Sequence, residues 1–232
     1  MVEFIGGQVR PTCNICGSQK FEAYRGRHSE RCSHCGSKAR HRVAFDIYER
    51  LVFPLAMERV RILHFAPEEA LHRRLEQVFG TGYTTADLLP ERYPHAQALR
   101  VALPDGISIF PDGYFDVVLH NHVLEHIPGH YRDHIAALMR IVKPGGVMIF
   151  SVPGPYPDRE TEEGGEYLAS DAERLARFLQ EDHFKLFGAD LVRHLEGLAG
   201  TVLEPDGITD ARRSELVVRP GKAPFFIIRK EP

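Results

Sequence analysis

No strong excess of charge of either sign marks this 232-residue sequence: 29 lysines and arginines face 32 acids, for a net charge of −3. With a pI near 6.5, an overall bias towards nucleic acid or an anionic membrane is excluded, though a local basic patch is not. Long apolar runs are also missing. Nothing approaches the roughly 20 consecutive apolar residues that cross a bilayer. The first residues, "MVEFIGGQVRP", lack the charged, apolar and cleavage regions of a secretory signal, so the expected compartment is the cytoplasm. Cysteine is scarce, with four in the chain, and in that compartment thiols or metal ligands are expected rather than disulfides. Glycine is missing at one telling place. The stretch "RILHFAPEEALHRRL", residues 61–75, reads as a buried strand running into a helix, the junction at which many α/β proteins hold a nucleotide, but without the usual glycines.

All four cysteines fall in one short segment as two C-x-x-C pairs, Cys13 with Cys16 and Cys32 with Cys35, 15 residues apart. That is the spacing of a zinc ribbon: each pair supplies two thiolates to one tetrahedral ion, and Gly17 and Gly36 let the turns close. With four thiolates no coordination position is left for water, so the expected zinc is structural, stabilising a segment too small to fold alone. The spare histidines His28 and His34 read as solvated. Next, "SKARHRVAFDIYERLVFPLA" carries apolar residues at Val43, Phe45, Ile47, Tyr48 and Leu51, the pattern of an amphipathic linking helix. Its basic cluster, Lys38, Arg40, His41 and Arg42, could meet a phosphate or an RNA backbone; a solvated face is the plainer reading. The expected organisation is a ribbon over residues 1–40, a linking helix over 41–59 and a catalytic-type core over 60–232.

From residue 60, strands and helices alternate. "VRILHF" is a short apolar run, "PEEALHRRLEQVF" a helix with Pro67 at its first position and two glutamates in its first turn, and "GYTTAD" a second strand ending in an acid. "AQALRVAL" and "FDVVLHN" follow as strands. "HYRDHIAALMRIV" is a helix with Tyr131, Ile135, Leu138 and Val142 on one face, stopped by "KPGG" ahead of the strand "VMIFSVP". After a helix over "KLFGADLVRHLEGLAG" come "TVLEPDG" and "PFFIIRK", two strands with no crossover helix between them, which are expected to pair as a terminal antiparallel hairpin. The fold class is therefore α/β with a mostly parallel sheet.

In such a sheet the ligand lies at the carboxyl ends of the central strands, which gathers His64, Phe65, Ala66, Pro67, Glu68, Asp87, Leu88, Asp105, His120, Asn121 and His122 around one crevice. Asp87 is placed to take the two hydroxyls of a ribose. Glu68 and Glu69 would repel a diphosphate at the helix start, which points to a nucleoside without phosphates that carries positive charge. S-adenosylmethionine fits that description.

Residues 110–153, with "HVLEH" and "KPGG", resemble the region after the fourth strand of class I S-adenosylmethionine-dependent methyltransferases of the type 11 group. The likeness runs from about residue 61 to the final "IIRK". Residues 180–195, "QEDHFKLFGADLVRHL", resemble a Q-x-D-H-x-R-x-Y-G-x-D segment of bacterial members that carry an amino-terminal zinc ribbon. The resemblance implies a Rossmann-like core with a seven-stranded sheet, Asp87 on the ribose, Asp105 or a neighbour on the adenine amine, and the backbone of His120 to His122 along the methionine portion. It departs at the first motif, where an acid-x-glycine-x-glycine loop is replaced by His64 to Glu68.

The favoured reading is methyl transfer to a small molecule, such as a sugar or another natural-product intermediate. His183 is the first candidate base, with Asp182 to orient it and Lys185 to hold an acidic group; His126, beside Glu125, is the second. Against these stand plain packing roles for both histidines. Residues 154–180 are polar and glycine-rich and are expected to form a lid whose acids, Glu160, Glu162, Glu163 and Glu166, disfavour an anionic acceptor. The rivals are an RNA methyltransferase guided by the ribbon, a non-catalytic S-adenosylmethionine-binding module, and a hydrolase with a metal on the cluster His120, His122, His126, His130 and His134. That cluster has no H-E-x-x-H motif. Neither the acceptor nor the oligomeric state is readable from the sequence.

Overall fold

The computed structural model describes residues 11–57, 59–219 and 224–232; the amino-terminal stretch read for a signal lies outside them. The chain divides into two compact units. The first comprises Met1–Glu58, Glu68–Gly80 and Asp206–Ala223, the second Arg59–Pro67, Thr81–Pro205 and Pro224–Pro232. These units cut across the sequential division expected at residues 40 and 59, because a helix and a late segment group with the ribbon.

In the first unit, β1 (Phe21–Tyr24) and β2 (Arg27–Cys32) form an antiparallel hairpin, and α1 (Ala39–Leu51) follows. The amphipathic pattern read there holds: Val43, Ala44, Phe45, Ile47 and Tyr48 are all buried. Arg42, read as part of a basic surface, is buried as well. Its guanidinium donates to the carbonyls of Ser37 (3.0 Å), Leu216 (2.6 Å) and Val217 (3.1 Å) and lies over the Phe21 ring, so its charge serves internal hydrogen bonding.

The second unit is built on a sheet whose first strand is β3 (Ile62–Phe65). Helix α2 (Glu69–Phe79), which follows it in the chain, belongs to the first unit and starts two residues later than expected. Glu68 is its N-cap, with extended backbone, so Pro67 lies outside the helix and only Glu69 is in the first turn. The sheet continues with β4 (Tyr83–Asp87), β5 (Leu99–Arg100) and β6 (Phe115–Asn121). Helix α3 (Tyr131–Ile141) leads into β7 (Val142–Ser151). Then come α4 (Asp171–Phe178), α5 (Asp190–Glu196) and β8 (Thr201–Glu204), and, after α6 (Asp210–Glu215) of the first unit, β9 (Phe226–Lys230).

Seven strands run in the order β5-β4-β3-β6-β7-β9-β8, parallel from β5 to β7 and antiparallel at β9 and β8. The expected mostly parallel sheet with a terminal antiparallel pair is thus present. Three local expectations are corrected. Strand β7 already pairs at Val142, opposite Phe115, and the register then jumps over residues 143–146 to resume at Val147 opposite Val117, so "KPGG" is an excursion inside the strand. Helix α5 starts at Asp190 because Leu186 and Gly188 are held in bridges to Glu162 and Tyr156. A helix, α6, does lie between the last two strands in sequence, although they still pair directly.

Strands β3 and β6 sit at the centre. All four residues of β3 are buried, as are Val117, Val118 and Leu119 of β6, which is why these segments read as mostly apolar runs. Tyr131, Ile135 and Leu138 of α3 join Leu63, Val118, Met148 and Phe150 in one core, each burial stabilising by about 1.5–3 kcal/mol.

Candidate active site

The chain leaves β3 for one side of the sheet, to β4, and later returns to pair β6 on the other side of β3. The order reverses between β3 and β6, and a crevice opens at the carboxyl ends of two such strands. The residues at those ends are unusual. Ala66 (φ 50°) after β3 and His122 (φ 55°) after β6 both adopt the left-handed conformation that glycine takes readily and other residues rarely. Each is tied down by the backbone, Ala66 N–H donating to Ala86 O (3.1 Å) and His122 N–H to Ser151 O (2.9 Å). The loop without glycine therefore keeps a glycine-like path.

Around this point the sequence-predicted residues divide by what faces outward. Asp87 ends β4 half-buried, with Oδ1 accepting from Leu89 N–H (2.8 Å) and Oδ2 left as an acceptor. Leu88 beside it is 56% exposed, an unusual position for a large apolar side chain. Asp105 is exposed in a short 3₁₀ turn, Asp105–Ile109. By contrast, His64, Phe65, Pro67, His120 and Asn121 are buried, so their side chains belong to the interior and only their backbone is available along the strand ends. His64 Nδ1 meets the Tyr83 hydroxyl at 2.8 Å, and Ser151 Oγ donates to Asn121 Oδ1 at 3.3 Å. His120 is stacked on Phe150 with ring centroids 4.7 Å apart, and burial pushes its imidazole down to about 3. Glu68 belongs to the first unit, where its carboxylate lies 3.7 Å from His41 Nε2.

A second group of residues, chosen from two distant segments, meets just beyond β6. His126 and His183 are in edge-to-face contact, centroids 4.8 Å apart. Backbone hydrogen bonding brings them together: Phe184 N–H donates to Glu125 O at 2.8 Å, laying residues 183–185 along the turn at 124–126. Gly165 closes the arrangement from the other side. Its N–H donates to Phe184 O, and a Cβ there would come within 2.5 Å of the Phe184 Cα. Glu125 is fully buried, its Oε1 accepting from His122 Nδ1–H at 3.1 Å. His183 is buried too, and burial holds its imidazole below the usual value while the Glu125 carboxylate pulls it upward. The structure does not leave Lys185 free for an acidic group: it is buried and its ammonium donates to Ile127 O. Asp182 meets His126 rather than His183, its carbonyl oxygen 3.0 Å from His126 Nδ1. Sequence reasoning weighed Glu125 only as the neighbour of His126; its spacing of three from His122 was the signal for a shared contact.

Residues 154–180 are stitched to the second unit, and their acids are engaged. Glu163 accepts from Tyr131 N–H at the start of α3 and from His130 (both 2.8 Å), Glu166 accepts from Gly129 N–H (2.8 Å), Glu160 pairs with Arg193 and Glu162 with Arg177.

In the first unit, the Sγ atoms of Cys13 and Cys35 are 3.7 Å apart and those of Cys16 and Cys32 3.6 Å. These are not disulfide distances, and they match the edges of about 3.8 Å expected of a tetrahedron with Zn–S near 2.3 Å. The two knuckles are alike: Gly17 N–H donates to Cys13 O and Gly36 N–H to Cys32 O, with both glycines left-handed. Hydrogen bonding from Cys35 lowers the Cys13 thiol to about 4 and raises that of Cys35 in return. The donor set and spacing fit a zinc ion.

A family model described as a methyltransferase domain matches residues 26–200. Among solved structures, an S-adenosylmethionine-dependent methyltransferase from Archaeoglobus fulgidus aligns over 84% of this chain and 95% of its own, with 14% identity and a TM-score of 0.52. The 1,6-didemethyltoxoflavin-N1-methyltransferase of Burkholderia thailandensis, solved with 1,6-didemethyltoxoflavin and S-adenosylhomocysteine, aligns over 84% and 79%, with 14% identity and a TM-score of 0.50. At that identity the likeness concerns the fold. No curated protein matches the chain. Among the described residues no helix is long and apolar enough to cross a membrane.

Proposed function

We propose, from the premise that the chain belongs to the family of S-adenosylmethionine-dependent methyltransferases, that it moves the sulfonium methyl group of S-adenosylmethionine to a small-molecule acceptor. The observation that carries the reading is the pair of left-handed residues, Ala66 and His122, at the ends of the two strands flanking the switch point. Such strain, of order 1–3 kcal/mol per residue, is held by the surrounding structure and tends to cluster at ligand sites. In this reading the backbone of residues 64–67 and 120–122 lines the cofactor, Asp87 accepts from the ribose hydroxyls, Leu88 offers an apolar face to the adenine and Asp105 accepts from its amine. Glu68 is left out of the set, since its carboxylate is turned to His41.

The acceptor site is assigned to His126, His183 and Glu125, where a nucleophile would lose its proton while held in line with the methyl carbon. The preference for a small acceptor rests on exposure. His126 is 37% exposed while His183 and Glu125 are buried, so one imidazole edge is what an acceptor reaches. A small acceptor on this fold has a precedent in the Burkholderia enzyme. The cysteine cluster is read as a structural zinc site, because four thiolates leave the ion no open position.

Calorimetric titration of the zinc-loaded protein with S-adenosylmethionine and S-adenosylhomocysteine tests the reading, alongside Asp87→Ala. One saturable site is expected, weakened about 10- to 100-fold by the substitution, since hydrogen bonds to a charged group contribute about 1.5–3 kcal/mol. Absence of binding at millimolar cofactor overturns it.

A further inference from the structure

The cluster of Glu125, His126 and His183 beyond β6 has a hydrogen-bonding pattern that a proton-transfer role alone does not require. His126 Nδ1 faces the Asp182 carbonyl oxygen at 3.0 Å, and His183 Nδ1 faces the Phe178 carbonyl oxygen at 3.2 Å. A carbonyl oxygen can only accept, so both rings carry a proton on Nδ1, and in the neutral form each leaves a lone pair on Nε2, which for His126 lies 4.0 Å from Glu125 Oε1. The third group is Glu125. Its Oε1 is held by His122, and its Oε2 is buried with no hydrogen-bond partner, as is the Nε2 of His183, on side chains 0% and 2% exposed. One ligand atom from each of Glu125, His126 and His183 lies within 4.8 Å of the others. In the neutral form two imidazole lone pairs and a carboxylate converge among partly desolvated side chains, an arrangement that is repulsive until a cation sits among them.

We propose that Glu125, His126 and His183 form a binding site for one divalent transition-metal ion of the class that prefers imidazole, such as Zn²⁺, Co²⁺ or Ni²⁺. Two imidazoles and one carboxylate are a common ligand set for such ions. The carbonyl partners of the Nδ1 protons are the outer hydrogen bonds that fix the tautomer and orientation of metal-bound histidine, and His122 holds the carboxylate in the same manner. Closing three atoms onto an ion at about 2.1 Å needs shifts of under about 1 Å, which side-chain rotation supplies. The exposed flank of His126 gives the ion a way in and leaves a coordination position open to solvent or to an acceptor's oxygen or nitrogen. This site is distinct from the four-cysteine cluster, which lies in the other compact unit.

The protein, its cysteine cluster first loaded with one equivalent of Zn²⁺ and freed of any excess, is equilibrated by dialysis with Co²⁺ and both metals are counted. The expected result is one Zn²⁺ and one Co²⁺ per chain, the cobalt showing d–d absorption without sulfur-to-cobalt charge transfer. Separate His126→Ala and Glu125→Gln substitutions should each weaken cobalt binding at least 10-fold with zinc unchanged. His126 is at the surface, so its variant serves even where the buried one does not fold. A total of one metal per chain, or a second equivalent that survives His126→Ala, overturns the proposal. Cofactor binding is measured on the same preparations, so a missing second metal leaves the methyltransferase reading standing, and missing cofactor binding leaves the metal count standing.

Discussion

Ala66→Gly isolates the backbone conformation on which the cofactor assignment rests. In the left-handed region an L-residue is strained by roughly 1–2 kcal/mol relative to glycine. Against that relief stand the extra freedom of glycine in the unfolded chain, about 0.5–1 kcal/mol, and partial loss of a half-buried methyl, about 0.4 kcal/mol. The three terms leave Ala66→Gly between about 0.4 kcal/mol destabilising and about 1.1 kcal/mol stabilising, centred slightly on the stabilising side. Ala137, also half-buried but inside helix α3, is the control: there glycine costs about 1 kcal/mol with no strain to relieve, a fall of about 2–4 °C in melting temperature for a chain of this length. Ala66→Val should fall as well, by about 1–2 kcal/mol, because a β-branched side chain tolerates positive φ least. Differential scanning calorimetry of the three variants gives the stabilities, and titration with S-adenosylhomocysteine gives affinities, which Ala66→Gly should preserve or improve and Ala66→Val should reduce. If Ala66→Gly lowers the melting temperature as much as Ala137→Gly, Ala66 is an ordinary packed alanine and the argument from strain fails.

Two further outcomes follow from burial and from the thiol cluster. Desolvation pushes His120, with His64 nearby, down to about 3, and His134, near Lys185, Glu163 and Asp133, down to about 4. The unfolded chain then binds more protons than the folded one below pH 6.5, so this stability is complete above that value and is lost as pH falls towards the folded values. At pH 5 each group accounts for at most about 2 kcal/mol, and urea midpoints measured from pH 8 to 5 should fall accordingly, with His120→Leu reducing the slope; an unchanged slope in that variant refutes the assignment. Removing the cysteine-bound metal with a chelator, or replacing Cys16 with Ser, should expose residues 11–38 to protease, since a structural zinc site in a small segment supplies about 10 kcal/mol or more of its folding free energy. Protection that persists in Cys16→Ser with no bound zinc refutes a structural role.

What could be read from the sequence was local. The cysteine spacing places four thiols together because each knuckle closes within five residues, Cys13 O to Gly17 N–H and Cys32 O to Gly36 N–H. The core strands were visible because β3 and β6, largely buried, are mostly apolar, and Asp87 was visible as the acid at the end of the neighbouring β4. The grouping of α2 with the ribbon left no such mark. Its helical period declares an apolar stripe without saying what covers it. Nor could Arg42 be separated from its basic neighbours, since burial of a guanidinium depends on carbonyls at residues 216 and 217.

The candidate site shows where that limit lies. Asp87, His126 and His183 could each be nominated from their surroundings in the chain, but the meeting of the two histidines depends on the hydrogen bond from Phe184 N–H to Glu125 O, between residues 59 positions apart. The same holds at Ala66. A missing glycine looked like a damaged cofactor loop, because sequence reports residue type and not φ; the hydrogen bonds to Ala86 and Ser151 hold Ala66 and His122 on the path a glycine would take. At residue 66 the departure from the family pattern is therefore one of side chain, with a left-handed backbone kept and a methyl group in place of glycine's hydrogen. A loop of this kind should discriminate by steric fit against the cofactor's closest atoms rather than lose the cofactor altogether, and the contrast between Ala66→Gly and Ala66→Val measures that fit directly.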